Sequence, residues 1–190
     1  MTWSGALSMT YREDWTSDRL PHWLPIIGPA LAPENLRALE IGVYEGRSTV
    51  WMLEHILTHP TSRIVCLDPF EPNAGMVWTQ RPHEYHDAFL ENTAPYREQI
   101  AVVRAYSQNV DAATLAAYAP NGYDLVYIDA SHDAAATVRE AQLAWDVAKP
   151  GAFVIFDDYG GTLKERVSAW LPGHCDIVDE GYQLISRAVK

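Results

Sequence analysis

"RALEIGVYEGRSTVWMLEHILTH", residues 37–59, changes its period halfway along. After Arg37, the residues Ala38 to Ile41 form an apolar run broken only by Glu40. Such a run reads as a strand buried on both faces. From Arg47 onward the apolar positions Val50, Leu53, Ile56 and Leu57 fall on one helical face. Between the two lies "GVYEG", whose Gly42 and Gly46 allow a tight turn. Strand, glycine turn and helix make the opening unit of an α/β sheet, and the pattern recurs along the chain. "RIVCLD" (63–68), "IAVVRAY" (100–106), "YDLVYID" (123–129) and "AFVIFDD" (152–158) read as further strands. "VDAATLAAYA" (110–119) and "DAAATVREAQLAWDVA" (133–148) read as helices, the second stopped by Pro150-Gly151. Strands alternating with helices predict a parallel sheet covered on both faces. After a helix at 162–171, "CDIVD" and "YQLISRAV" flank Glu180-Gly181 as a hairpin, which predicts an antiparallel edge.

The chain has 190 residues, which fits one domain, with residues 1–35 as a leader or cap. Residues 70–98, rich in Trp78, His83, Tyr85, His86 and Phe89, form a long stretch without regular period. An insertion of that length in a compact α/β domain is expected to be a lid or substrate-binding element. No apolar run reaches the length of a membrane span. Cys66 and Cys175 are too few for a disulfide framework, so a reduced, cytoplasmic setting is expected. The net charge is −11 and the 14 Lys and Arg are scattered, which argues against nucleic acid as a partner. The same charge suits a neutral or cationic small-molecule acceptor, or a bound cation. The aromatic-rich leader is compatible with a homodimer.

In an open parallel sheet, ligands bind beyond the carboxyl ends of the strands. Those ends can be named here: Glu40 and Gly42, Asp68, Tyr106-Ser107, Asp129, and Asp157-Asp158. Five successive tips carry polar or acidic groups, so they define a site. The first turn spaces its glycines as G-x-x-x-G and not as the G-x-G-x-x-G of dinucleotide binders. The helix start at Arg47, Ser48 and Thr49 offers free N–H groups for a carboxylate or a phosphate. Asp68 is placed to accept hydrogen bonds from ribose hydroxyls; the bland alternative is that Gly42 only turns the chain and Asp68 only caps a helix.

"ALEIGVYEGRSTVWML", "RIVCLDPF", "YDLVYIDASHD" and "AKPGAFVIFDDY" together resemble class I S-adenosylmethionine-dependent methyltransferases. The resemblance is greatest to the small group related to macrocin O-methyltransferase, and more distant to catechol and caffeoyl-CoA O-methyltransferases. It spans roughly residues 37–160 in the right order. It implies a Rossmann-like methyltransferase fold with a seven-stranded, mostly parallel sheet in the order 3-2-1-4-5-7-6 and an antiparallel last strand. It also implies S-adenosylmethionine as cofactor, with Glu40, Gly42, Tyr44 and Ser48 around the methionine part, Asp68 on the ribose and Ser107 near the adenine. Asp129 belongs to the same cofactor set.

Three carboxylates, Asp129, Asp157 and Asp158, then stand at adjacent strand ends. Like charges held together raise one another's pKa or take up a cation. Mg²⁺ prefers oxygen ligands and keeps waters that a substrate can replace, so these three are candidate metal ligands. That requires the fifth strand to have ended, because consecutive strand residues face opposite sides. Alternatively, Asp129 serves the cofactor alone and Asp157 or Asp158 caps a helix. A free histidine can accept a proton near neutral pH, which makes His132 the candidate base. The expected activity is Mg²⁺-assisted O-methylation of a small-molecule hydroxyl, on a sugar-bearing natural product or a catechol. The alternatives are a metal-independent N- or carboxyl-methyltransferase and a non-catalytic cofactor-binding module.

Overall fold

A computed structural model describes residues 9–32, 34–72, 82–130 and 133–190. The expected strands are β1 (Arg37–Ile41), β2 (Arg63–Leu67), β3 (Ile100–Val103), β4 (Tyr123–Ile128) and β5 (Ala148–Phe156), followed by β6 (Cys175–Glu180) and β7 (Leu184–Ala188). They form one sheet in the order β3-β2-β1-β4-β5-β7-β6. All pairings are parallel as far as β5, while β7 runs antiparallel to both β5 and β6. The chain leaves β1 toward β2 on one side and returns as β4 on the other, so strand order reverses between β1 and β4. A crevice opens above such a reversal.

Alternation along the strands sends side chains into two cores. Leu39, Ile41, Val126, Ile128, Val154 and Phe156 pack on one face with α5 (Ala134–Val147) and α6 (Gly161–Trp170). Ala38, Cys66, Leu125, Tyr127, Phe153 and Ile155 pack on the other with α2 (Arg47–His55) and the leader helix α1 (Trp23–Ile27). Leu20, Trp23 and Ile27 of the leader are fully buried there, whereas Leu24 and Trp15 of the same stretch are exposed. At about 25 cal/mol per Å² of apolar surface, a buried indole and two aliphatic chains are ample to hold a short helix that would not persist alone.

Several boundaries differ from the expected ones. The 70–98 stretch is not irregular throughout: Pro82–Thr93 is a helix, α3, followed by a 3₁₀ turn at Ala94–Gln99. Tyr85, Phe89, Asn92 and Thr93 are its buried stripe, a spacing of four, three and one. Helix α2 stops at His55, and the 110–119 helix shrinks to α4 (Ala112–Ala116), capped by Asp111, whose side chain accepts the Thr114 N–H. Strand β5 begins at Ala148, before Pro150-Gly151, and ends at Phe156, which leaves Asp157 and Asp158 beyond it. No helix among the described residues is long and apolar enough to cross a membrane.

Candidate active site

A cavity of about 620 Å³ lies at the carboxyl ends of β1, β2, β4 and β5. Its first wall is the turn after β1. Gly42 (φ +87°) and Gly46 (φ +79°) supply left-handed backbone, and Tyr44 adopts it too (φ +47°) at a cost that only glycine escapes. A Cβ on Gly42 would stand 2.0 Å from the Asp129 carbonyl oxygen, so the residue must be glycine for β1 and β4 to meet.

Asp68 holds this turn in place. One carboxylate oxygen accepts the N–H groups of Val43 (2.9 Å) and Tyr44 (3.3 Å), and the other accepts that of Phe70 (2.7 Å). Burial pushes its pKa up, and the three backbone donors oppose the rise. A carboxylate has about four acceptor positions; three are in use, and Asp68 still reaches the cavity. Its role is therefore first to pin the turn, with one position left for a ligand hydroxyl.

Glu40 differs from expectation. It is fully buried and is not on the cavity wall. Its two oxygens accept the hydroxyls of Ser48 and Thr49, and burial raises its pKa to about 8. Gly42, Tyr44, Ser48, Ser107 and Asp129 do line the cavity, and Ser107 donates to Glu140 (2.7 Å) at the same wall.

The opposite wall comes from the leader, which contributes Tyr11, Glu13, Trp15, Thr16 and Arg19. It is tied down at several points. Asn92 of α3 accepts the Thr10 N–H (3.0 Å) and donates back to the Thr10 carbonyl (3.2 Å) and to that of Glu45 (3.0 Å). The buried Glu45 carboxylate accepts the Arg12 N–H (2.8 Å). Arg47 pairs with Asp14 (2.7 Å), and the Arg19 guanidinium lies 3.6 Å above the Tyr182 ring. Trp15, Tyr44, Tyr85 and Phe70 continue as a ladder of tilted rings, with centroids 5.4, 5.3 and 5.8 Å apart.

The acidic end unites Asp129, Asp157 and Asp158 at one rim of the cavity. Asp158 lies in left-handed backbone (φ +50°), the strand having ended. Burial raises the pKa of Asp157; Gln183 hydrogen bonding counters it, the neighbouring Asp158 charge adds to it, and an Asp129 hydrogen bond lowers it. Beneath the pair runs a buried relay. Trp23 Nε1–H donates to Gln183 Oε1 (2.7 Å), Gln183 Nε2 donates to Asp157 Oδ1 (2.6 Å), and the Tyr127 hydroxyl donates to Asp129 Oδ2 (3.1 Å). Indole can only donate, so it fixes which end of the Gln183 amide faces Asp157.

Among the described residues, no group of three His, Cys, Asp or Glu side chains is placed to hold an ion. Asp129 and Asp157 are drawn to each other and to Tyr127 and Gln183, and these hydrogen bonds satisfy oxygens that a cation would otherwise take. The three acids share a rim without forming such a group among the described residues.

His132 and Trp78 lie outside the described residues, as does the His83 side chain. His86 packs at a tilt against Phe70 with ring centroids 4.4 Å apart. Sequence reasoning missed Gln183 and Tyr127. Their signal was a polar atom inside an otherwise apolar strand pattern, which in a buried strand calls for a partner.

Comparison with known proteins decides the family. A family model described as a methyltransferase domain matches residues 39–159. The chain belongs to that methyltransferase family. It is 22% identical over 141 residues to an uncharacterized protein of Acanthamoeba polyphaga mimivirus, covering 73% of this chain and 58% of that one, so it spans little more than half the length of this relative. Among solved structures, the O-methyltransferase TomG of Streptomyces achromogenes, involved in tomaymycin synthesis and in complex with S-adenosylmethionine, is similar. Its TM-score is 0.63 at 16% identity, with 90% of this chain and 80% of that one covered. An O-methyltransferase from Bacillus cereus in complex with S-adenosylhomocysteine gives 0.64 at 16% identity, with 95% and 84% covered. A Clostridium thermocellum protein described as an rRNA-methylase candidate gives 0.65 at 12% identity, with 90% and 96% covered. At these identities the likeness is one of fold.

Proposed function

We propose that this methyltransferase uses S-adenosylmethionine to methylate a hydroxyl oxygen of a small molecule, a diol-bearing sugar or a catechol. The observation that carries the reading is one cavity with two chemically distinct ends. The glycine turn, Ser48 and the pinned Asp68 suit the amino-acid and ribose groups of the cofactor, and Ser107 with Glu140 suits its base. The rim of Asp129 and Asp157, with the Arg19 charge acting on Asp157, suits a polar acceptor. In the step, an oxygen lone pair attacks the methyl carbon, the C–O bond forms as the C–S bond breaks, and sulfur keeps the electron pair. The hydroxyl proton passes to a base, for which His132, three residues past Asp129, is our candidate. Since the sulfonium is already activated, alignment supplies most of what the protein must add, about 7–11 kcal/mol for well-oriented reactants. The relay through Gln183 and Tyr127 keeps the acidic rim oriented for that purpose.

The expectation of Mg²⁺ rests on the resemblance and on the acidity of the rim alone. The negative rim and the scattered cations oppose an RNA phosphate backbone as substrate. Calorimetric titration with S-adenosylhomocysteine is the first test. Next, diol and catechol acceptors are screened with S-adenosylmethionine, with and without EDTA, and S-adenosylhomocysteine release is measured. Micromolar binding and acceptor-dependent release are expected, with His132→Ala slowing release by about 10²-fold or more. Absence of S-adenosylhomocysteine binding would refute the reading.

A further inference from the structure

Among the described residues, two arginines line the cavity, Arg19 and Arg47, and the fold uses them differently. The Arg47 guanidinium is engaged, donating to Asp14 (2.7 Å) and, from Nε, to the Ser17 hydroxyl (3.1 Å). Arg19 is not. Among the described residues it forms no ion pair, and its side chain donates no hydrogen bond. Its guanidinium carbon lies 3.6 Å from the centroid of the Tyr182 ring. The N–H groups of a guanidinium all lie in its plane. A ring engages the face of that plane and leaves the donors uncommitted.

The place of this group is nevertheless fixed. The Arg19 N–H donates to the Thr16 carbonyl (3.0 Å), and the Arg19 carbonyl accepts the His22 N–H (3.1 Å). The next residue, Leu20, is buried. Tyr182 is held too, because its carbonyl accepts the Tyr159 N–H (2.8 Å) just after Asp157 and Asp158. The ring therefore carries the guanidinium beside the acidic rim. Burial raises the Asp157 pKa, and the Arg19 charge opposes that rise. A cation held by stacking next to carboxylates, and paired with none of them, is set to bind oxygen atoms of a molecule that enters the cavity.

Building on the O-methylation proposed above, we propose that Arg19 determines acceptor specificity by taking two neighbouring acceptor oxygens on its guanidinium fork. The planar fork matches oxygens that come in pairs. A vicinal diol gives lone pairs from both oxygens to Arg19 and turns an O–H toward the carboxylates of the rim. A lone hydroxyl answers one N–H and leaves its neighbour without a partner, which lowers affinity. The same positive charge favours the acceptor oxygen as it loses its proton.

The test loads the full chain with S-adenosylhomocysteine in the presence of EDTA, so that no added or carried-over cation reads the diol instead. Two pairs of probes are then titrated by calorimetry: catechol against phenol, and methyl β-ribofuranoside against its 2-deoxy counterpart. The parent is expected to bind at least one diol about tenfold or more tighter than its partner. Arg19→Ala should abolish that preference and change affinity for S-adenosylhomocysteine by less than about twofold. Arg19→Lys keeps the charge without the fork; it should lose the preference as well, and it serves if Arg19→Ala does not fold. Millimolar guanidinium chloride should restore part of the preference to Arg19→Ala, a response that a merely structural role would not give. A diol preference that survives Arg19→Ala, or a loaded parent that prefers neither diol, would overturn the role of Arg19. A parent that does not bind S-adenosylhomocysteine would instead overturn the cofactor site on which the proposal rests.

Discussion

Replacing Gly42 by Ala tests whether the crossing of β1 and β4 is as tight as it looks. The added Cβ would lie 2.0 Å from the Asp129 carbonyl oxygen, 2.6 Å from its carbon and 2.8 Å from Ala130 Cα, all backbone atoms. Relief requires the two strand tips to part by about an ångström or more, given ordinary carbon contacts of about 3.5–4.0 Å. That movement strains the Asp129 N–H bond to the Ile41 carbonyl and the Gly42 N–H bond to the Leu67 carbonyl, both 2.9 Å. Weakening one or two such bonds costs about 0.5–1.5 kcal/mol each, and overpacking adds about 1–3 kcal/mol. The left-handed φ of +87° adds about 1–2 kcal/mol. Gly151 separates the last contribution from the others, because it has φ +77° and a Cβ placed on it would meet nothing within 4 Å. Gly151→Ala should therefore lose about 1 kcal/mol and Gly42→Ala about 3–5 kcal/mol. Urea unfolding at 25 °C measures both, and S-adenosylhomocysteine titration should show weakened binding only for Gly42→Ala. If the two variants lose the same stability within about 0.5 kcal/mol, the steric argument is wrong.

Glu40 should also leave a mark on the pH dependence of stability. Its pKa is raised to about 8 in the folded chain, so between the ordinary carboxylate range and that value the native state holds a proton that the unfolded chain releases. Stability from this group is full below the unfolded pKa and is lost as pH rises toward 8, by up to about 1.4 kcal/mol per unit. Urea midpoints measured from mildly acidic pH up to that value should fall less steeply in Glu40→Gln than in the parent, and parallel curves would contradict the raised pKa. Gln183→Leu strips the buried Trp23 N–H of its acceptor and Asp157 of a donor. It should cost about 2–4 kcal/mol in urea unfolding, and a variant as stable as the parent would show that the relay does not bear on folding.

The strands were readable because each announced itself by an apolar run with a polar tip, and a hairpin around Glu180-Gly181 left β7 no parallel place; their order came from the family resemblance. Part of the cavity wall was readable for the same reason: Gly42, Ser48, Asp68 and Ser107 all follow closely after strands and line it. Helix α3 was missed because its stripe mixes Tyr85, Phe89 and Asn92, and an asparagine that clasps a neighbouring segment looks in a sequence like a surface residue. Gln183 meets Trp23 across 160 residues of chain and Tyr127 across 56, separations that no local pattern can reveal. Glu40 was noticed for its charge and misplaced in depth. Nothing in "RALEI" distinguishes an acid facing a ligand from one facing the underside of the helix that follows.

The segment from Tyr11 to Arg19 forms part of the cavity wall, and its supports include Asn92, Glu45 and Arg47, none of them in the sheet. Five of the residues lining the cavity thus come from a segment anchored outside the sheet. Because those anchors sit on and beside the glycine turn, a change in the leader is felt at the turn as well as at the cavity mouth.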